Sequence, residues 1–373
     1  VKNLQQKLNK TIVFVSHDMG EALKLADTII FGRFCGVSAL ASVGATGSVN
    51  YLILGFVIGV CNGFAIPIAQ LFGARDYSDL RRHVANAAWL CIAASVVLTI
   101  STVALTRPMM QLMQTPDDII DGAVIYIGWI FAGIPFIFLY NMVAAIMRAL
   151  GDSKTPLYFL ILTSALNIGL DLLFIIPFQM GVLGAALATD ISQVISGVLS
   201  FIYLSRKFDV LKMQKSDFAY SKKACARLLG IGIPMGLQCS ITAIGSVVLQ
   251  GAVNGLGSSI VAAQTAGSKA AQFLSVPLES IGTAMTTYAS QNMGAHDLKR
   301  VDRGVNTALG IGCVYSVASF LILRVLDVPL ISLFLESSEV EIMANARSFI
   351  FWNSVFYICL LYTSPSPRDR SLS

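Results

Sequence analysis

The sequence predicts an all-α, polytopic membrane protein. Hydrophobic residues make up 55% of its 373 residues and charged residues only 13%, and the mean hydropathy is +0.72. A soluble domain carries about 25% charged residues, so this composition excludes an ordinary water-exposed surface. Apolar stretches of about 20 residues, the length of a helix that crosses a bilayer, recur along the chain.

Hydropathy places about nine membrane spans along the chain. The first and seventh are too long for one straight crossing, so the Gly, Pro and polar residues within them predict kinks or interfacial turns. The predicted spans are 38–72, 84–106, 119–147, 156–178, 182–204, 227–250, 258–292, 304–325 and 340–361.

The loop charges predict the orientation of these spans. Alternate loops carry 15 Lys and Arg residues, whereas the loops on the opposite side carry 3. The positive-inside rule places the basic set in the cytoplasm. The net charge of +5 therefore needs no nucleic-acid partner. The seven cysteines form no CxxC pair, so we expect neither a disulfide framework nor a metal site, and no cofactor.

An internal repeat relates the two halves of the chain. Residues 68–88 align with 289–309 at an offset of 221 residues, without a gap. An even number of predicted spans separates the copies, so the repeat is predicted to be parallel rather than inverted. The positions shared by the first copy are Gln70, Gly73, Ala74, Asp76, Arg82, Val84 and Ala87.

The same offset predicts a departure from symmetry at each end. Residues 6–29 stand opposite the predicted span 227–250 but are mixed and polar, and the second half turns into YTSPSPRDRSLS after residue 361. We therefore expect one span to be replaced at the front and about two to be missing at the back, which leaves about nine.

Six segments in order resemble the multidrug and toxic compound extrusion (MATE) family: ADTIIFGRFCGVSALASVGATGS, AQLFGARD, RALGDSKTP, ALNIGLD, GVLGAALATDIS and GIPMGLQ. The resemblance covers roughly nine tenths of the chain. It implies a MATE-type fold of two six-helix bundles across a V-shaped cleft, here incomplete. It also implies alternating access, with H+ or Na+ entering as an organic cation leaves. We expect a multi-pass protein of the bacterial inner membrane and not an enzyme.

Both ends resemble something else. Residues 1–31 resemble the switch-histidine segment of a glycine-betaine-type ABC-transporter ATPase, with His17 as the matching histidine. No GxxxxGK[ST] loop accompanies it, so nothing would cradle a nucleotide. Residues 362–373 resemble adapter or vector read-through. The predicted domains are a chimeric segment 1–31, an N-terminal bundle 32–205, a cytoplasmic linker 206–226, a C-terminal bundle 227–361 and an artefactual tail 362–373.

An ionisable residue within a span is costly, and is therefore a candidate for function. Asn167 and Asp171 lie one turn apart and share a helix face. The resemblance implies that this pair forms the cation-coupling site with Thr189 on the next helix and Asp27 on the first. Such a carboxylate can take up H+ or hold Na+ through hard oxygens. The structural alternative is a hydrogen-bonding residue between helices.

The remaining candidates are less specific. Asp190, Lys269, Glu279, Tyr140 and Met142 are candidates for a cavity, with helix packing as the alternative. Pro135, Pro234 and Pro277 are predicted to kink helices, and gating is one use of such kinks.

The predicted function is a cation-coupled antiporter that exports organic cations or drugs. Its partners would be small organic cations and membrane lipid, with no nucleic acid and no nucleotide. One alternative is a lipid-linked oligosaccharide flippase of the same superfamily, although only Lys269 and Arg347 lie within predicted spans, away from the span ends, to hold a pyrophosphate. A second is an ATP-binding module, suggested by His17. A third is a non-functional chimeric fragment of a transporter.

Overall fold

The computed structural model describes residues 36–113, 115–254, 258–331 and 340–357. All regular structure within these residues is helical, and two 3₁₀ turns, Asp209–Leu211 and Lys215–Phe218, lie between α7 and α8. The α-helices are α1 (Gly36–Ala45), α2 (Gly47–Gly73), α3 (Tyr77–Leu112), α4 (Asp117–Ala132), α5 (Ile134–Ala149), α6 (Lys154–Ile175), α7 (Gly181–Lys207), α8 (Lys222–Asn254), α9 (Ser258–Gly294), α10 (Leu298–Ile331) and α11 (Val340–Val355).

Six of these helices are long and apolar enough to cross a membrane, and the bent pair α4–α5 makes a seventh candidate. The six are α2, α3, α6, α7, α8 and α10. The predicted all-α membrane fold is therefore confirmed over the described residues. Predicted spans seven and nine also coincide with helices, but α9 carries many Ser, Thr and Gly residues and α11 has only 16 residues.

The first predicted span is divided, as its length and composition indicated, the third is bent, and the long seventh is continuous. The first, 38–72, is divided between α1 and α2 at Thr46, whose hydroxyl donates back to the Val43 carbonyl at 2.7 Å. The third bends by 48° between α4 and α5. The long seventh span is one helix of 37 residues that runs through Pro277 without interruption.

The described residues divide into two compact units. The first takes the residues up to Ile244, and the second takes those from Gly245 onward, so α8 contributes to both. The core of the first unit is built around large buried side chains such as Phe64, Phe131 and Phe138. Leu323 and Tyr357 lie in the smaller core of the second unit.

Two pairs of glycines bring α2 and α8 into backbone contact within the first unit. A Cβ at Gly59 would lie 2.7 Å from the carbonyl oxygen of Met235, and a Cβ at Gly63 would lie 2.5 Å from the Cα of Gly232. Gly236 is the glycine of α8 that faces Gly59. Two small-xxx-small motifs thus face each other, the arrangement by which helices pack closely in lipid.

The segment predicted as a cytoplasmic linker is bound to the start of α3. Arg81 Nε donates to Asp217 Oδ2 at 2.9 Å, and Asn86 Oδ1 accepts the Ser221 N–H at 3.0 Å. The backbone N–H of Gln214 and the guanidinium of Arg81 hold the pKa of Asp217 below its usual range. These hydrogen bonds hold the linker against the N-terminal part of α3.

The repeated loop has the same backbone conformation in both copies. Arg75 and His296, which are 221 residues apart, adopt left-handed φ angles of 58° and 59°. In each copy an aspartate side chain then accepts the N–H three residues ahead: Asp76 from Asp79 at 3.1 Å, and Asp297 from Arg300 at 3.0 Å. The repeat predicted from sequence is confirmed at this loop.

Candidate cation site

The helices α6 and α7 meet along a line of polar side chains. Thr163 donates to the hydroxyl of Ser196, and both residues are buried. One turn further along α6, Asn167 Nδ2 donates to Thr189 Oγ1 at 3.4 Å. The Thr189 hydroxyl in turn donates to the Ala185 carbonyl at 3.0 Å. Two of the residues predicted to couple cations are therefore brought together by adjacent helices.

Asp171 lies one turn beyond Asn167 on α6 and is only 3% exposed. The two residues that follow it, Leu172 and Leu173, are 39% and 45% exposed. A helix that buries its carboxylate and exposes its leucines is suited to a lipid surround, where a charged group must face the bundle interior. Asp171 is thus buried one turn away from the half-buried, hydrogen-bonded pair of Asn167 and Thr189 within the first unit.

Two of the other predicted residues cannot be placed. Asp27 lies outside the described residues. So do residues 1–31 and 362–373, the two terminal segments that resemble other sequences. Lys269 lies on α9, but its side chain is also outside the described part. Glu279 is exposed on the same helix. The roles assigned to these three residues stay predictions.

The remaining cavity candidates all lie within the first unit. Tyr140 is 9% exposed and donates from its hydroxyl to the Pro156 carbonyl at 3.2 Å, and Met142 belongs to the hydrophobic core. Asp190 is half-buried on α7 and its carboxylate packs against Gly133. A role of Tyr140, Met142 or Asp190 in a cavity stays a prediction.

The three prolines occupy different settings. Pro135 is in the first turn of α5, directly after the bend between α4 and α5. Pro234 and Pro277 lie inside α8 and α9, which continue through them. Any gating role for the three stays a prediction.

A polar cluster lies where α6 begins and α7 ends, in the turn that the sequence predicts to be cytoplasmic and structural. Asp152 accepts the Thr155 N–H at 3.1 Å, the Thr155 hydroxyl at 2.7 Å and Lys207 Nζ at 2.8 Å. Burial raises the pKa of Asp152, but the hydrogen bonds from Lys207 and Thr155 outweigh burial and leave it below its usual range. The spacing of Asp152 and Thr155 is a helix-start signal that could have identified the cap, whereas the contact with Lys207 depends on the packing of α7.

Comparison with known proteins places the chain in a family. The MatE family model matches residues 21–173 and 234–365, which is more than half of the sequence, and the chain therefore belongs to the MatE family. It is a multi-pass membrane protein. The family match extends into both terminal segments that resemble other sequences, and the origin of those segments stays a prediction.

Two relatives from Bacillus subtilis align with similar shares of this chain. The probable multidrug resistance protein YoeA is 27% identical over 90% of this chain and 74% of its own length. The probable multidrug resistance protein YpnP is 29% identical over 91% of this chain and 76% of its own length. A solved outward-facing multidrug resistance MATE family transporter matches with a TM-score of 0.87 at 24% identity, over 95% of this chain and 78% of that one. The likeness to that structure shows the MATE-type fold.

Proposed function

We propose that the chain exports small organic cations in exchange for H+ or Na+, by alternating access, in the inner membrane of a bacterium. Family membership and the multidrug resistance relatives support the class of substrate. The single observation that carries the coupling is the burial of Asp171 beside the hydrogen-bonded Asn167–Thr189 pair.

The exchange follows from the charge on Asp171. A carboxylate in a water-poor bundle is stable only with a compensating cation, and one negative charge compensates one monovalent cation at a time. Binding of H+ or Na+ at Asp171 would remove the charge that favours an organic cation. The two ligands therefore oppose each other through a coupling free energy that is equal in both directions.

The helices α6 and α7 supply the rest of this mechanism. Asn167 and Thr189 offer oxygen atoms for Na+, and their mutual hydrogen bond links the two helices beside the carboxylate. Occupation of the site would change that bond and bias the bundle between two conformations. Alternating access then requires two conformations that open to opposite sides of the membrane. The one with bound H+ or Na+ opens to one side, and the one with the bound organic cation opens to the other.

Transport in proteoliposomes tests this function and separates the two cations. The purified chain is reconstituted in liposomes whose lumen is either acidic without Na+, or rich in Na+ at equal pH. Antiport predicts that ethidium accumulates in the lumen as the luminal cation leaves. The gradient that drives ethidium accumulation, of H+ or of Na+, identifies the coupling cation.

Ionophores supply the control for each arm. Nigericin with K+ should abolish accumulation driven by the pH gradient, and monensin should abolish accumulation driven by Na+. Ethidium movement that is equal with and without either gradient, in vesicles that contain the folded protein, would contradict the proposal.

A further inference from the structure

Asp190 follows Thr189 on α7 and therefore projects about 100° away around the helix axis. Its carboxylate points at the break between α4 and α5 rather than toward α6. A Cβ at Gly133, the residue at that break, would overlap Asp190 Oδ1. The absence of a side chain at Gly133 is what admits the carboxylate to the backbone at this point.

Asp190 Oδ1 is inaccessible to solvent and has no hydrogen-bond partner among the described residues. The same holds for Oε1 of Gln193, one turn further along α7. Positions 190, 193 and 197 share a face of α7. A Cβ at Gly197 would lie 3.3 Å from Leu139 Cδ2 and 3.6 Å from the Phe136 carbonyl oxygen, so this face of α7 packs against the first turns of α5.

A carboxylate beside the start of a helix usually caps free N–H groups, but the start of α5 leaves few to cap. The N–H groups of Gly133, Phe136 and Ile137 already donate to backbone carbonyls. Pro135 has no N–H. Within the described part of the chain, none of the ion pairs includes Asp190. A capping or ion-pairing role therefore does not explain why a carboxylate is placed here.

We infer that Asp190 and Gln193 bind a monovalent metal cation, Na+, at the break between α4 and α5. The two side chains present carboxylate and amide oxygens without a donor, which is the oxygen-rich surround that a hard cation takes. One carboxylate balances one positive charge, so a divalent ion would leave a net charge in the membrane. Transporters bind coupling ions at broken helices of this kind.

This inference rests on the proposed function, because it adds a second cation site to the bundle that carries Asp171. The two sites would lie about 100° apart around α7, one facing α6 and the other facing α4 and α5. A Na+ ion at the second site would tie α7 to the bend, so its binding would stabilise the first unit independently of Asp171.

Thermal unfolding of the purified chain tests the second site without relying on transport. The midpoint is measured in NaCl and in choline chloride at equal ionic strength and constant pH, first for Asp171→Asn and then for the double variant Asp171→Asn with Asp190→Asn. We expect saturating Na+ to raise the midpoint of Asp171→Asn by about 3 °C. The double variant should lose this shift.

The matched control is Asp171→Asn with Asp121→Asn, which neutralises an exposed carboxylate of the same unit and should keep the shift. Gln193→Leu in the Asp171→Asn background should reduce it, and this variant serves also if Asp190→Asn fails to fold. A Na+ shift that is absent from Asp171→Asn, or unchanged by both substitutions at Asp190 and Gln193, would overturn the second site. So would a midpoint that responds to pH but not to Na+. None of these results affects coupling through Asp171, which ethidium transport reports separately.

Discussion

At the scale of single residues, Asp152 holds the two helices of the candidate cation site together where α6 begins and α7 ends. Its carboxylate caps the start of α6 through Thr155 and reaches α7 through Lys207. The cap is the stronger contribution, because Lys207 is 46% exposed and exposed ion pairs contribute about 0–1 kcal/mol.

Substitution of Asp152 separates these two contributions. Asp152→Ala should lower the free energy of unfolding by about 1–2 kcal/mol, the usual loss for a cap. Asp152→Asn keeps an acceptor for the Thr155 N–H and should lose less. Thermal unfolding at neutral pH measures both, and equal stability of Asp152→Ala and the wild type would contradict the cap.

The pH dependence of stability follows from the lowered pKa of Asp152. A carboxyl whose pKa is lower in the folded than in the unfolded state stabilises the fold above its unfolded value of about 4. That contribution disappears as the pH falls through the lower, folded pKa. We expect the unfolding midpoint of the wild type to fall more steeply below about pH 4 than that of Asp152→Asn. Parallel curves for the two proteins would contradict this.

At the scale of helices, the crossing of α2 and α8 depends on the absence of side chains. Gly63→Ala would place a Cβ 2.5 Å from the Cα of Gly232, a backbone atom that cannot rotate away. We expect a loss of about 1–3 kcal/mol in stability, as for other overpacked sites. The matched control is Gly230→Ala on α8, where a Cβ would meet nothing within 4 Å. Equal unfolding midpoints for the two variants would contradict the close crossing.

Most helices could be predicted from the sequence because lipid requires long apolar segments whose backbone bonds internally. A kink at Pro135 was predicted, but the division into α4 and α5 and the angle of 48° were not, because a single apolar stretch covers both helices and Pro135 alone does not determine the angle. The contact of Asp190 with Gly133 was also missed. It joins residues far apart in the chain, and only the packing of α7 reveals it.

The candidate cation site could be predicted only in part. Asn167 and Asp171 share a face through helical spacing alone, which sequence reveals. The bond from Asn167 to Thr189 requires the register between two helices, and here the family resemblance supplied what spacing could not. Gln193 belongs to no sequence motif, so only its position one turn beyond Asp190 makes it a candidate ligand.

At the scale of the whole molecule, the loop charges predict which ends of the helices face the cytoplasm. Single cysteines introduced into a background without native cysteines test this. Gln179→Cys, in the turn between α6 and α7, should react with a membrane-impermeant maleimide added to intact cells. Lys212→Cys, in the basic linker, should react only after the cells are opened. The reverse pattern would contradict the orientation.

The central claim is that Asp171 makes the binding of an organic cation and of the coupling cation mutually opposed. Equilibrium binding of tetraphenylphosphonium to the purified chain measures this directly, as its Kd at rising H+ or Na+ concentration. For the wild type and for the Asp121→Asn control, a saturating coupling cation should raise the Kd by about tenfold. For Asp171→Asn the Kd should stay nearly constant across the same range. A Kd of Asp171→Asn that rises as steeply as that of the wild type would contradict the account.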